Sequence, residues 1–170
     1  PFTSHDDFLA FCELNSGLDG APELPGNWST VAEYLNMFDG TVAVNIAYVI
    51  GNSPLRISAV GWDEKPASDS EISNMRSMLR EGMEDGAFGL STGLDYPPGS
   101  YADTNELVEL AQVAGRYGGI YHTHLRNTLG DQFLDPVKEA LEIGQRGEIP
   151  CHLTHFYQKL THSGSAKRLL

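Results

Sequence analysis

The sequence predicts an α/β protein in which short strands alternate with helices. Two observations support this prediction: apolar, β-branched stretches recur at intervals of roughly thirty residues, and stretches of helical periodicity with capping residues lie between them. Such alternation forms right-handed βαβ units around a parallel sheet. About four units, with no G-x-G-x-x-G or P-loop turn in the sequence, indicate a partial (β/α)8 barrel rather than a doubly wound sheet.

The chain is expected to have two parts. Residues 1–30 are predicted to be a loop-rich connecting segment because glycines and prolines interrupt every periodic pattern after the short stretch 7–14. Residues 31–170 are predicted to form the partial barrel. An open half-barrel leaves unpaired strand edges, so we expect a barrel truncated at both ends and completed by further chain or by a partner.

The first half of the predicted barrel contains two helices and one long strand. Ser29 or Thr30 is a candidate N-cap for the helix VAEYLNMF, and the β-branched run TVAVNIAYVIG ends at Gly51. Ser68 and Glu71 then have the spacing of a capping box, which predicts a second helix beginning at this point.

The second half repeats the pattern three times. The strand AFGLSTGL is followed by a helix capped by Asp103 and Glu106, and the strand IYHTHL by a helix that begins at Asp135-Pro136. IPCHLTHF is the fourth predicted strand, and the terminal SAKRLL has the pattern of a helix just beginning.

Composition excludes several classes of function. The 170 residues suit one domain. Lys and Arg total 11 against 23 Asp and Glu, and the net charge of −12 repels nucleic acid and anionic lipid. The longest uncharged apolar run, 41–50, is too short to span a bilayer. Cys12 and Cys151 match no C-x-x-C pattern, which favours a reducing, cytoplasmic location.

Histidines in the last two strands are the main functional signal. His124 and His155 lie near the ends of neighbouring strands, one βαβ step apart, where barrel enzymes place their working residues. Imidazole is a common zinc ligand, so the pair is a candidate metal site, although strand histidines are also often structural. His122 is either a ligand alongside His124 or a pocket-lining residue, and His152 is interpreted as structural.

Three segments resemble one family. They are the G-x-S-T-G-L-x-Y-P-P-G segment at 89–99, the T-H-x-R segment at 123–126 and the T-H pair at 154–155. The chain from about residue 31 to 155 thereby resembles the N-acyl-D-amino-acid deacylases (D-aminoacylases) of the amidohydrolase superfamily.

The resemblance implies a (β/α)8 barrel of the amidohydrolase type with zinc at its mouth. His124 and His155 would be metal ligands, Tyr96 would lie near the substrate, and Arg126 would either orient a ligand or cap the strand-end loop. The implied reaction is hydrolysis of the amide bond of a small-molecule N-acyl-D-amino acid to a carboxylate and a D-amino acid. No catalytic residue is assigned, because the general-base aspartate of the family is expected outside this segment.

Departures from the family keep two alternatives open. Tyr157 stands where the family often has a lysine that meets the substrate carboxylate, which favours another amidohydrolase acting on a cyclic amide or other C–N bond. The second alternative is a non-catalytic barrel fragment with structural histidines. Asp95 in the YPPG loop is a possible catalytic carboxylate, but acidic residues in such loops are usually solvated or turn-forming.

Overall fold

Four parallel strands form one sheet in which sequence neighbours are spatial neighbours. The computed structural model describes residues 4–24, 26, 28–126 and 134–156. The strand order is β1-β2-β3-β4. The strands are Val49–Gly51 (β1), Gly89–Gly93 (β2), Ile120–His124 (β3) and Cys151–Leu153 (β4). The predicted α/β class and parallel sheet are therefore confirmed.

Six α-helices are found among the described residues, together with one 3-10 turn. The helices are His5–Asp19 (α1), Val31–Asn36 (α2), Asn52–Ala59 (α3), Asp69–Glu84 (α4), Thr104–Arg116 (α5) and Asp135–Arg146 (α6). The 3-10 turn covers Gly99–Tyr101. None of these helices is long and apolar enough to cross a membrane.

The two faces of the sheet differ because side chains alternate along each strand. One face, which we call the helix face, packs against the helices and is buried; it carries Ile50, Leu90, Thr92, Tyr121 and Thr123. The other, which we call the histidine face, is partly exposed; it carries Ser91, Gly93, His122, His124 and His152. Among the described residues, the buried core therefore lies on the helix face of the sheet.

Polar side chains on the helix face are satisfied by one another. The Thr92 hydroxyl lies 2.7 Å from the Thr123 hydroxyl and 3.1 Å from the Tyr121 hydroxyl. Burial raises the pKa of Tyr121, which keeps its hydroxyl neutral. The network therefore joins β2 to β3 inside the core.

A buried ion pair links α3 to α5. The Arg56 guanidinium is fully buried and donates both to the Glu106 carboxylate and to the main-chain carbonyl of Lys65. Glu106 is 2% exposed, so both charges are withdrawn from water. Such a pair is sensitive to loss of either partner, because the remaining charge would stay buried without its counter-ion.

The predicted helix caps are largely confirmed. Thr30 and Glu33 form a capping box at α2, and Ser68 and Glu71 form one at α4. Asp103 accepts a hydrogen bond from the main-chain N–H of Glu106 at 2.8 Å. Short polar side chains at these positions satisfy amide groups that the helix leaves without partners.

The prediction of a loop-rich segment over residues 1–30 was wrong for its first half. Residues 5–19 form α1, which begins at an N-cap serine and contains no buried residue. Its contact with the rest of the chain includes Phe8, whose ring lies edge-on to Trp28 at 6.0 Å between centroids. The Ser4 N-cap and the Phe8–Trp28 contact help to stabilise α1, a helix that the sequence pattern did not predict.

Three other predicted boundaries need correction. The long strand is reduced to β1, and residues 41–48 before it are not in a strand. A helix that was not predicted, α3, follows β1 directly. Helix α6 begins at Asp135 with Leu134 at the N-cap, so Asp135 lies in the first turn and is not the cap. The terminal helix proposed for SAKRLL lies outside the described residues.

Candidate metal centre

The ends of β3 and β4 bring His124 and His155 together. Thr154 follows β4, and both its main-chain N–H and its hydroxyl donate to the Thr123 carbonyl, at 2.9 and 2.8 Å. This double attachment fixes the chain immediately before His155 beside the residue immediately before His124. Parallel pairing thus places both imidazoles at the same edge of the sheet.

The two imidazoles are in contact. Their ring centroids lie 5.1 Å apart with planes at 73°. The backbone of His155 has a φ of 52°, in the left-handed region, so the chain turns away from the strand direction at this residue. No group of three His, Cys, Asp or Glu side chains within the described ranges is arranged to hold a metal ion.

Two residues of the loop after β2 reach His124. Its Nε2 lies 3.1 Å from Oδ2 of Asp95, and the side chains of His124 and Asp95 are 30% and 26% exposed. The Tyr96 ring lies 5.5 Å from the His124 ring between centroids and is itself 45% exposed. The predicted substrate-side tyrosine is therefore adjacent to the candidate ligand, and so is an aspartate whose role the sequence left undecided.

Other parts of the chain hold this loop in place. The Asn52 side chain, buried beside β1, donates to the Gly99 carbonyl at 3.3 Å. Arg126 donates to the carbonyl of Ser100 at 2.6 Å and to that of Ala102 at 2.9 Å. The loop that carries Asp95 and Tyr96 is therefore attached on two sides.

Arg126 also pairs with Glu139 of α6. Its Nε and Nη2 lie 3.1 Å from Oε2 and Oε1 of that carboxylate, which is the two-pronged geometry that arginine favours. With the two carbonyls, the guanidinium donates to four oxygen atoms of three residues. This arrangement favours the loop-capping alternative for Arg126, and its proposed contact with substrate stays a prediction.

A second histidine pair, His122 and His152, lies on the histidine face, before His124 and His155 along the strand direction. Nδ1 of His122 is 2.7 Å from Nδ1 of His152, and the two residues are register partners in β3 and β4. Burial and the neighbouring His152 both lower the pKa of His122. The His122 ring therefore contacts His152, and both the ligand and the pocket-lining interpretations of His122 stay predictions.

Structural comparison defines the class of the protein. No family model matches the chain. A crystal structure of D-aminoacylase, described as defining a novel subset of amidohydrolases, aligns with a TM-score of 0.79 and 28% identity over 89% of this chain and 32% of that chain. The N-acyl-D-glutamate deacylase of Bordetella bronchiseptica, complexed with zinc and a phosphonate inhibitor, aligns with a TM-score of 0.76 and 28% identity over 88% and 31%. The sheet and its helices are thus part of an amidohydrolase barrel.

Sequence comparison identifies the family within that class. The chain is 38% identical over 143 residues to an N-acyl-D-aspartate deacylase and 37% identical over 125 residues to a D-aminoacylase, both from Alcaligenes xylosoxydans xylosoxydans. These matches cover 83% and 73% of the chain but only 28% and 26% of the relatives. The chain belongs to the N-acyl-D-amino-acid deacylase family, and it spans about a quarter of the length of these relatives.

Proposed function

We propose that the chain is part of a zinc-dependent hydrolase that cleaves the amide bond of N-acyl-D-amino acids to a carboxylate and a D-amino acid. The observation that carries this proposal is the contact between His124 and His155 at the ends of adjacent strands. Family membership supplies the reaction type. The relatives act, by their names, on N-acyl-D-amino acids, including N-acyl-D-aspartate and N-acyl-D-glutamate.

The donor set at this edge fits zinc. Two imidazoles in contact offer nitrogen donors that Zn²⁺ accepts, and the carboxylate beside one of them contacts its ring nitrogen. His124 and His155 would hold the ion, and the remaining ligands would come from outside the described residues. When bound, zinc supplies polarisation of the scissile carbonyl and a lowered pKa for water.

The protein's own groups orient the substrate. Tyr96 would contact an acyl-amino acid bound at the metal, and its half-exposed ring in contact with His124 supports this role. Arg126 remains a proposed substrate residue. It would act indirectly, because it donates hydrogen bonds to carbonyls of the loop that carries Tyr96. The general base is proposed to come from the rest of the barrel, supplied by further chain or by a partner.

A related amidohydrolase activity, on a cyclic amide or another C–N bond, is the second candidate. The observation that favours it is Tyr157, where the family often has lysine, since a neutral phenol cannot pair with a substrate carboxylate. Tyr157 lies outside the described residues.

We also propose a cytoplasmic location and no nucleic-acid or membrane partner. Both cysteines are free thiols, as a reducing compartment favours. The net charge of −12 opposes binding to nucleic acid and to anionic lipid.

Zinc content and hydrolysis test the proposal in the protein expressed from its complete gene. We expect His124→Ala and His155→Ala to lose bound zinc and hydrolysis of N-acetyl-D-amino acids, with the L-enantiomers as poor substrates. His152→Ala is the matched control. This histidine lies on the same face of the sheet, but its ring contacts His122, whereas His155 contacts His124. Equal zinc content in all variants would favour the non-catalytic alternative, and activity on cyclic amides alone would favour the second candidate.

A further inference from the structure

We propose that Asp95 is a positioning residue for the metal centre, which holds His124 with its Nε2–H directed at the carboxylate. The inference rests on the proposed function, since it assigns a role to Asp95 towards the metal that His124 would bind. Neither the resemblance nor the comparisons give this residue a role.

The contact itself is the first argument. Nε2 of His124 and Oδ2 of Asp95 are 3.1 Å apart, which is the distance of an N–H···O hydrogen bond. An ionised carboxylate can only accept, so a hydrogen bond to it requires a proton on Nε2 of His124. In the neutral imidazole Nδ1 then carries the lone pair, which makes it the nitrogen available to a metal.

The second argument is that the position of Asp95 is built into the fold. Its predecessor Leu94 is 3% exposed, and the Leu94 N–H donates to the His124 carbonyl at 3.1 Å. The ring of its successor Tyr96 contacts the His124 ring at an interplanar angle of 54°, and the Tyr96 N–H donates to the Gly93 carbonyl at 3.1 Å. Both neighbours of Asp95 are therefore held by main-chain hydrogen bonds, Leu94 to His124 and Tyr96 to Gly93.

The third argument is that the far side of the loop is held independently. Asn52 holds Gly99, and Arg126 holds Ser100 and Ala102. A carboxylate on a loop fixed at both ends loses little conformational freedom when it orients an imidazole. Carboxylates that hold a ligand histidine in this way typically account for about 10- to 100-fold in metal affinity.

Metal affinity is the first test, measured with zinc and a competing chromophoric chelator in the protein expressed from its complete gene. We expect Asp95→Ala to raise the Kd for zinc about 10- to 100-fold, and Asp95→Asn, which keeps an acceptor oxygen, to raise it less. Asp63→Ala is the matched control: it removes one exposed carboxylate elsewhere and should leave the Kd unchanged. An unchanged Kd in both Asp95 variants would overturn the proposal.

Spectroscopy separates positioning from direct ligation. In the metal-free protein, ¹⁵N NMR should find neutral His124 as the Nε2–H tautomer, and Asp95→Ala should lower the population of this tautomer. In the Co²⁺-loaded protein, the visible absorption bands should be the same in Asp95→Asn and wild type. A neutral Nδ1–H tautomer in wild type, or a cobalt spectrum indicating a lost ligand, would overturn the proposal.

His124→Ala distinguishes failure of this inference from failure of the proposed function. If zinc binding survives His124→Ala, the metal centre itself is wrong and Asp95 has nothing to position. If zinc binding is lost in His124→Ala but unaffected in both Asp95 variants, the metal centre stands and only the role of Asp95 is wrong.

Discussion

The two faces of the sheet use the same strands for different purposes. On the helix face, Leu90 and Tyr121 are fully buried and the polar groups bond to one another. On the histidine face, His122 and His124 are only half-buried, and their ring nitrogens contact another histidine and an aspartate. Adjacent residues of one strand thus differ in environment: one set is packed in the core, and the other is partly exposed and includes the proposed metal ligand His124.

The largest expected loss of stability comes from the helices that cover the helix face. Arg56→Met should lower the free energy of unfolding by about 3–5 kcal/mol, because it leaves the Glu106 carboxylate buried without its partner. Urea unfolding measures this change. The double variant Arg56→Met/Glu106→Leu should recover most of the loss, and a double variant no more stable than the single one would show that the charge is not the cause.

Neighbouring residues of β2 test the comparison directly. Leu90→Ala should cost about 2–5 kcal/mol through the cavity that it leaves. Ser91→Ala, on the histidine face, should change stability by no more than about 0.5 kcal/mol. Thermal unfolding of the two variants side by side measures the contrast, and equal losses would contradict the division between the faces.

The hydroxyl network gives a smaller effect. Thr92→Val keeps the shape of the side chain but leaves the Tyr121 and Thr123 hydroxyls short of a partner, which should cost about 1–3 kcal/mol. Thr41→Val is the control, since this exposed hydroxyl donates to the Met37 carbonyl in the turn after α2. Chemical denaturation that gave the same loss at both positions would assign the effect to the loss of any threonine hydroxyl instead of the network.

The smallest effect lies outside both faces and depends on pH. Hydrogen bonds from the Ser68 N–H, Lys65 and the Ser68 hydroxyl lower the pKa of Glu71 from 4.5 to about 2. A lowered folded-state pKa means that this stabilisation is complete above pH 4.5 and is lost as pH falls towards about 2.

Glu71→Ala should therefore be less stable than wild type at neutral pH, with a difference that shrinks between pH 4.5 and about 2. Unfolding midpoints across this range measure it. Glu71→Gln has no titrating carboxyl, so the stability difference between Glu71→Gln and Glu71→Ala should not change with pH over this range. If the unfolding midpoints of Glu71→Gln and wild type changed with pH in parallel, the ionic contribution would be refuted.

Much of the fold could be predicted because local signals decided it. The capping residues at Ser68 and Asp103 and the apolar runs of β2 and β3 specify their elements without reference to the rest of the chain. Helices α1 and α3 were missed. The former has no buried residue to give it periodicity, and the latter contains a proline, Pro54, near its start.

The candidate site was predictable only in part, because local sequence signals reveal some of its residues and not others. His124 and His155 were identified by strand position, which sequence spacing reveals. The partner of His124, Asp95, lies in a loop whose path depends on Asn52 and Arg126, which are distant in sequence. No local pattern places that carboxylate, so its contact with His124 is visible only in the tertiary structure.

The simple strand order has a consequence for how the protein is made. Each strand after β1 pairs with the strand that precedes it, as Gly89 of β2 does with Val49 and Cys151 of β4 with Tyr121. A nascent chain leaving the ribosome can therefore add one βα unit at a time to a template already formed, without waiting for a distant segment. The histidine pairs, which span β3 and β4, are then completed only when the last of these units docks.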